Sequence, residues 1–311
     1  MEPTPDRRLA GSPARAHLDR GFSFEQGGSL ERALEAYRAS LAASTTPVER
    51  AESHLRIARI HRSMAAWVES HAESGKAVSI ADSIGADDLA AEAMNVEIGS
   101  LQIRGFLAEA DDLAHRAIHR AQSPRVRGIT LQNLGRGAAE RRDFERADHY
   151  FAQSITAFRA ANYTIGLAVA LANAAKAALD RGNAQRSIEV GEEAVTLARR
   201  LNALDILLTT VQNLAAAFVM MGRLDSAESL LTEALGYFTS ARNVVRQAEC
   251  LEVMGTISER RPDLETAERC YLRARDLAHQ SADTPLIDRL NSRLDALATI
   301  RDAVRGETSR E

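Results

Sequence analysis

Apolar residues recur along this chain three to four positions apart, and the runs are cut by short polar turns at regular intervals. The turns carry glycine or a charged pair, as at Gly28, Gly105, Gly182, Gly222 and Arg141-Arg142-Asp143. Helix-opening signals follow several of them. Thr46-Pro47-Val48-Glu49 has the order of an N-cap, a first-turn proline and a capping-box glutamate, and Ser123-Pro124 and Thr284-Pro285 open in the same way. The pattern predicts an all-α chain of about fifteen helices, arranged as hairpins.

The hairpins repeat. A small residue near the start of each second helix falls at Ala33, Ser70, Ala110, Ala147, Ser187, Ala227 and Ala267, in steps of 37, 40, 37, 40, 40 and 40. Seven residues later comes a second small residue, at Ser40, Ala77, Ala117, Ser154, Ala194, Ala234 and Ala274. Twelve residues before the first lies a third, at Gly21, Ala58, Ile98, Gly135, Ala175, Ala215 and Gly255. Short side chains at these points let helix axes approach to about 8–10 Å. Ile98 breaks the rule and is expected to weaken the third unit. After the seventh unit, Leu286, Leu290, Leu294, Leu297 and Ile300 form one apolar stripe on a lone helix, the pattern of a terminal cap.

Asparagine recurs inside three consecutive apolar runs, at Asn133, Asn173 and Asn213, forty residues apart. Asparagine costs a helix interior about 0.5–0.7 kcal/mol relative to alanine. Three in register are read as a ladder lining a groove, each amide free to pair with an extended backbone; the other reading is that each bonds a neighbouring helix. On the ladder reading, alanine at all three leaves the fold intact. Gln132 and Gln212 sit beside the ladder, Arg136 and Lys176 stand one turn on, and Arg56, Arg59 and Arg62 form a basic face in the second unit. The seventh unit turns acidic, with Glu249, Glu252 and Glu259.

The small-residue spacing, with Leu134-Gly135 at the fourth unit, resembles the tetratricopeptide repeat family, over about residues 15–281. The 37–40 residue period is similar to the long-repeat subclass of Leu-Gly-Asn repeat proteins, kinesin light chains and bacterial peptide-pheromone receptors. The resemblance implies a right-handed superhelical solenoid of seven hairpins over 14–282. A capping helix follows at 283–304, flanked by a disordered lead-in at 1–13 and a disordered tail at 305–311. It also implies that first helices line the concave side, and that Asn133, Asn173 and Asn213 hold peptide backbone there.

Composition narrows the function classes. A net charge of −4 gives no global field toward nucleic acid or an anionic membrane, and no run approaches a membrane span. Cys250 and Cys270 are the only cysteines, which predicts reduced thiols and a cytoplasmic protein. Arginine outnumbers the two lysines, Lys76 and Lys176, as a GC-rich, bacterial genome gives. No nucleophile motif, phosphate-binding glycine loop or zinc spacing occurs, so no catalytic residue, metal or cofactor is expected. Asp111, His115 and His119 have metal-ligand spacing on a second helix and read as a solvated face. The chain is expected to bind a protein or an extended, acidic peptide without catalysis. The alternatives are a scaffold acting through self-association or its convex face and, more remotely, an enzyme.

Overall fold

The structure, a computed structural model, describes residues 11–308 and the side chains of residues 11–301. The expected lead-in over 1–10 and the last residues of the expected tail, 309–311, lie outside the described residues. Among the described residues there are fifteen α-helices and no strand. They are α1 (Pro13–Gln26), α2 (Leu30–Ala43), α3 (Pro47–Ser63), α4 (Trp67–Ser83), α5 (Asp87–Ile103), α6 (Leu107–Arg120), α7 (Pro124–Glu140) and α8 (Phe144–Ala160). Then follow α9 (Thr164–Asp180), α10 (Ala184–Arg200), α11 (Leu204–Met220), α12 (Leu224–Ser240), α13 (Val244–Arg260), α14 (Leu264–Gln280) and α15 (Thr284–Thr308). Odd and even helices up to α14 pair as seven hairpins.

The caps explain where the helices begin. At α3 the Thr46 hydroxyl accepts from the Glu49 N–H at 3.2 Å, and the Glu49 carboxylate accepts from the Thr46 N–H at 3.1 Å. Glu49 also accepts from the Ser12 hydroxyl at 2.6 Å and the Thr45 N–H at 2.9 Å, so one buried carboxylate ties the start of α1 to the start of α3. At α15 the cap is Asp283, whose carboxylate accepts from the Leu286 N–H at 3.1 Å; Thr284 is already helical.

All fourteen small residues of the first two sets are buried to 1% exposure or less. At three of the four serines in these sets the hydroxyl donates to a carbonyl of the facing helix, Ser40 to Ala14 at 2.9 Å, Ser70 to Ala58 at 3.0 Å and Ser154 to Gly128 at 2.8 Å, while the buried Ser187 hydroxyl has no partner. At these three sites the buried hydroxyl is satisfied by a backbone carbonyl.

Six residues of the third set meet a residue sixteen positions further on, and in five of these pairs a small residue meets a larger one. A Cβ on Gly21 would lie 2.5 Å from the Tyr37 ring, and one on Gly135 would lie 2.7 Å from the Phe151 ring. A Cβ on Gly255 would run into Tyr271. At the other extreme, Ile98 is fully buried in one cluster with Ala114. Ala175 faces Gly191 at 3.4 Å from where a Cβ would stand there, and Ala215 shares a cluster with Leu231. Ile98 therefore does not weaken its unit, because the second helix has given up the volume that the first helix takes.

The described chain forms two compact units, one through Ala170 and one from Leu171. In the first, α3 contacts α5 and α5 contacts α7, so first helices lie side by side. In the second, α15 packs on α14 and buries Leu286, Leu290 and Leu297 against Leu251, Tyr271 and Ala278. It also brings Arg289 to Glu252 at 3.2 Å and Arg293 to Glu259 at 3.6 Å. With Glu249 held by Arg246 at 2.7 Å, the acidic face expected of the seventh unit is neutralised from within.

Two outcomes follow from this packing. Gly135→Ala is expected to destabilise by about 1–3 kcal/mol through overpacking. Combined with Phe151→Leu, the pairing seen at Ala215 and Leu231, it should cost clearly less than the sum of the single changes. Chemical denaturation of the four proteins measures the coupling. The Glu49 carboxyl is held down to about 2, chiefly by the Ser12 hydroxyl and the Thr45 N–H. Its contribution is present above the ordinary carboxyl value of 4.5 and is lost as pH falls toward 2. Acid unfolding followed by circular dichroism should show Glu49→Gln less stable than wild type at pH 6, with the gap closing toward pH 2.

Candidate functional site

In the first unit, α3, α5, α7 and the start of α9 enclose a cavity of about 320 Å³. Its apolar lining is Leu55, Val96, Ile129, Ile165, Val169 and the Phe158 ring. Its lining holds four arginines, Arg59, Arg62, Arg125 and Arg136, and a single carboxylate, Glu92. Glu92 is already ion-paired with Arg125. Arg59 has only the distant Glu25 carboxylate, at 4.0 Å, and that group also accepts the Tyr37 hydroxyl at 2.6 Å.

Arg62 and Arg136 have no ion pair or side-chain hydrogen bond among the described residues, and both are partly buried. Burial pushes the Arg62 guanidinium down to about 10, helped by the like charges of Arg59 and Arg136. Burial also lowers Arg136, against the pull of Glu140. Gly99 on α5 is what admits Arg62: the guanidinium lies against its Cα, where any side chain would stand. An unpaired charge withdrawn from water is costly, and it is normally removed by a partner or a neighbouring carboxylate. Among the described residues no ion pair or side-chain hydrogen bond compensates either guanidinium, and Glu140 and Glu25 act on them only from a distance.

The residues singled out from sequence divide between the two units. Arg59, Arg62, Gln132, Asn133 and Arg136 line this cavity together. Arg56 does not; its guanidinium stands over the Phe22 ring at 5.9 Å. Asn133 is not a free rung. Its Nδ2 donates to Asn95 Oδ1 at 2.9 Å, Asn95 Nδ2 donates to Thr130 Oγ1 at 2.8 Å, and both asparagines are buried. Gln102 adds a bond from Nε2 to the Asn133 carbonyl at 2.7 Å. This amide network joins α5 to α7, so the expectation that alanine is harmless at Asn133 is corrected. Asn173, Lys176, Gln212 and Asn213 belong to the second unit and do not line the cavity. Lys176 is paired with Asp180 at 2.5 Å, whereas Asn213 Nδ2 is buried without a partner.

Sequence reasoning missed Glu92, Asn95, Arg125 and Tyr163. The strict repeat register lands on Val96, one residue past Asn95, and reading a helix face instead of a register would have found it. Arg125 was visible only as the residue after the helix-opening Pro124. The weighed metal trio is occupied with its own helix and a neighbour: Asp111 pairs with Arg141 at 3.1 Å, and His115 Nδ1 meets the Asp111 carbonyl at 2.9 Å. No group of metal-ligand residues occurs among the described residues.

No protein-family model matches the chain, and no curated protein matches it either. Solved structures do, and they define its fold as that of tetratricopeptide-type helical repeats. The apo form of RapI has 12% identity and a TM-score of 0.59, with 87% of this chain and 99% of that one covered. A Rap protein complexed with Competence and Sporulation Factor has 14% identity and a TM-score of 0.61, covering 92% and 75%. A signal-transduction ATPase with numerous domains and a tetratricopeptide repeat sensor, from Pyrococcus horikoshii, has 13% identity and a TM-score of 0.66, covering 89% and 44%. No helix among the described residues is long and apolar enough to cross a membrane.

The two kinds of polar group in the cavity should respond oppositely to removal. Arg62→Gln relieves an unpaired, desolvated charge and is expected to leave the melting temperature unchanged or raised. Asn133→Ala strands the Asn95 carbonyl oxygen in the interior and is expected to cost about 1–3 kcal/mol. Thermal melts of the two variants check both signs.

Proposed function

We propose that this chain is a non-catalytic protein-binding module, and that the first-unit cavity seats an acidic group of an extended segment. The observation that carries the reading is the pair of unpaired guanidiniums, Arg62 and Arg136, beside an apolar wall. Arg59 completes the basic side, and Gln132 offers an amide to the backbone of the segment. The wall of Ile129, Ile165 and Val169 takes an apolar residue next to the acid. A neighbour of the same fold, a Rap protein, is known in complex with Competence and Sporulation Factor, which fits a binding role for a chain of this shape. Asn173 and Asn213 stand as further backbone contacts on the second unit, with Gln212 and Lys176 beside them.

A second reading rests on a separate cavity of about 480 Å³ between α7 and α8, lined by Leu131, Ala152, Ala157 and Ala160 with His149 and Gln153. It suits a scaffold that docks a partner helix on that side.

Selection from a random linear-peptide display library separates the two. Wild type should enrich segments with an acidic residue beside an apolar one. The triple variant Arg59→Gln, Arg62→Gln, Arg136→Gln should lose at least tenfold in affinity for them, since a hydrogen bond to a charged group is worth about 1.5–3 kcal/mol. His149→Glu should have no effect. Enrichment of amphipathic helical peptides that depends on His149 and ignores the arginines would support the α7–α8 site instead.

A further inference from the structure

The charge balance of the cavity says more about its ligand than that it is acidic. Three guanidiniums, those of Arg59, Arg62 and Arg136, line it with no carboxylate committed to Arg62 or Arg136. The one lining carboxylate, Glu92, is spent on Arg125, and Glu25 is shared between the Tyr37 hydroxyl and a 4.0 Å approach to Arg59. A carboxylate brings one negative charge and two oxygens. It would leave one of the two unpaired cations, Arg62 and Arg136, uncompensated in a partly desolvated site. A phosphoryl monoester brings about −1.5 to −2 charges and three acceptor oxygens. Planar guanidinium forks match those oxygens pairwise, as point-charge ammonium groups do not, and all the basic lining residues are arginine.

We infer that the Arg59–Arg62–Arg136 cavity receives a phosphoryl group carried on a protein segment. The inference rests on the binding reading above and names the chemistry of its acidic group. A segment fits better than a bare phosphate because the lining also holds apolar side chains. Ile129, Ile165 and Val169 are only partly covered by the protein and are left wet by a small inorganic anion, whereas an apolar neighbour in a segment covers them. The volume of about 320 Å³ accommodates a phosphorylated side chain together with part of an adjacent residue. Gly99 supports the assignment from an independent direction. It is a helix-interior glycine, a position that costs helix stability, and the space it leaves is filled by the Arg62 guanidinium alone. A Cβ there would meet the far end of a flexible side chain, so alanine displaces Arg62 without disturbing the core.

The test uses the full chain and immobilised degenerate peptides in three matched sets, with phosphoserine, glutamate or serine at the fixed centre. The phosphoserine set should be retained at least tenfold more tightly than the glutamate set, and the serine set least. Phenyl phosphate should compete, and benzoate, with the same ring but one charge, should not. Arg62→Gln and Gly99→Ala should each remove the phosphoserine advantage with the circular dichroism spectrum unchanged. Equal retention of phosphoserine and glutamate sets, both dependent on Arg62, overturns the phosphoryl inference and leaves the acidic-group reading standing. Binding of phenyl phosphate without retention of any peptide set overturns the assignment to a protein segment. No binding of any probe, together with peptide-display selections that ignore the three arginines, overturns the inference and the reading beneath it.

Discussion

Five of the seven hairpins are joined by a contact between the first helix and the residue sixteen positions on at which the two volumes are complementary. Glycine faces tyrosine or phenylalanine in the first, fourth and seventh hairpins, and isoleucine is balanced by alanine in the third. Because interiors are packed like crystals, a large residue at one place of the crossing is met by a small one at the other, and where both are small, as at Ala175 and Gly191, Leu214 fills the space. The first and seventh hairpins extend the match into polarity. Tyr37 donates to Glu25 at 2.6 Å and Tyr271 to Glu259 at 2.8 Å, each with an arginine of the following helix nearby, Arg59 and Arg293. In the fourth, phenylalanine replaces tyrosine and Ala139 stands where the glutamate would be, so the hydroxyl and its acceptor are absent together.

The crossing contact sets how the first helices stand, and with them the cavity. Its depth comes from a different use of small residues. Gly99 faces away from the hairpin contact at Ile98 and toward the neighbouring unit, where it lets a guanidinium lie flat on the helix. The amide chain from Thr130 through Asn95 and Asn133, with Gln102 on the Asn133 carbonyl, fixes α5 against α7 beneath it. A hydrogen-bonded amide network thus lies beside unpaired charge. That division is expected where binding is set against stability, because the groups that wait for a ligand are the ones the fold leaves unpaired.

Much of the fold was legible in the sequence. Periodicity, the capping box at Thr46–Glu49 and the small-residue register placed the hairpins, since each rests on local rules that tertiary structure did not override. The misreading of Ile98 came from treating small residues one position at a time, when the constraint acts on a pair. The site was legible as residue types. Arg59, Arg62 and Arg136 stand out on first helices, but which of them has a counter-charge depends on how side chains from other helices are placed, as Glu25 is for Arg59. Asn133 looked like Asn173 and Asn213 in register. Its pairing with Asn95 arises from a one-residue offset that repeat arithmetic passes over.

The central claim is that Arg62 and Arg136 are held without a counter-charge in the free protein and are covered when a ligand binds. Arginine-directed labelling with phenylglyoxal, read by mass spectrometry, measures this residue by residue. A lowered guanidinium value raises the reactive neutral fraction, so in the free protein Arg62 is expected to label faster than the ion-paired Arg120 and Arg246, whose values are raised. Adding a peptide recovered from display should slow labelling at Arg62 and Arg136 while leaving Arg120 and Arg246 unchanged. Labelling at Arg62 no faster than at the paired arginines, or unaffected by a bound peptide, would contradict the account.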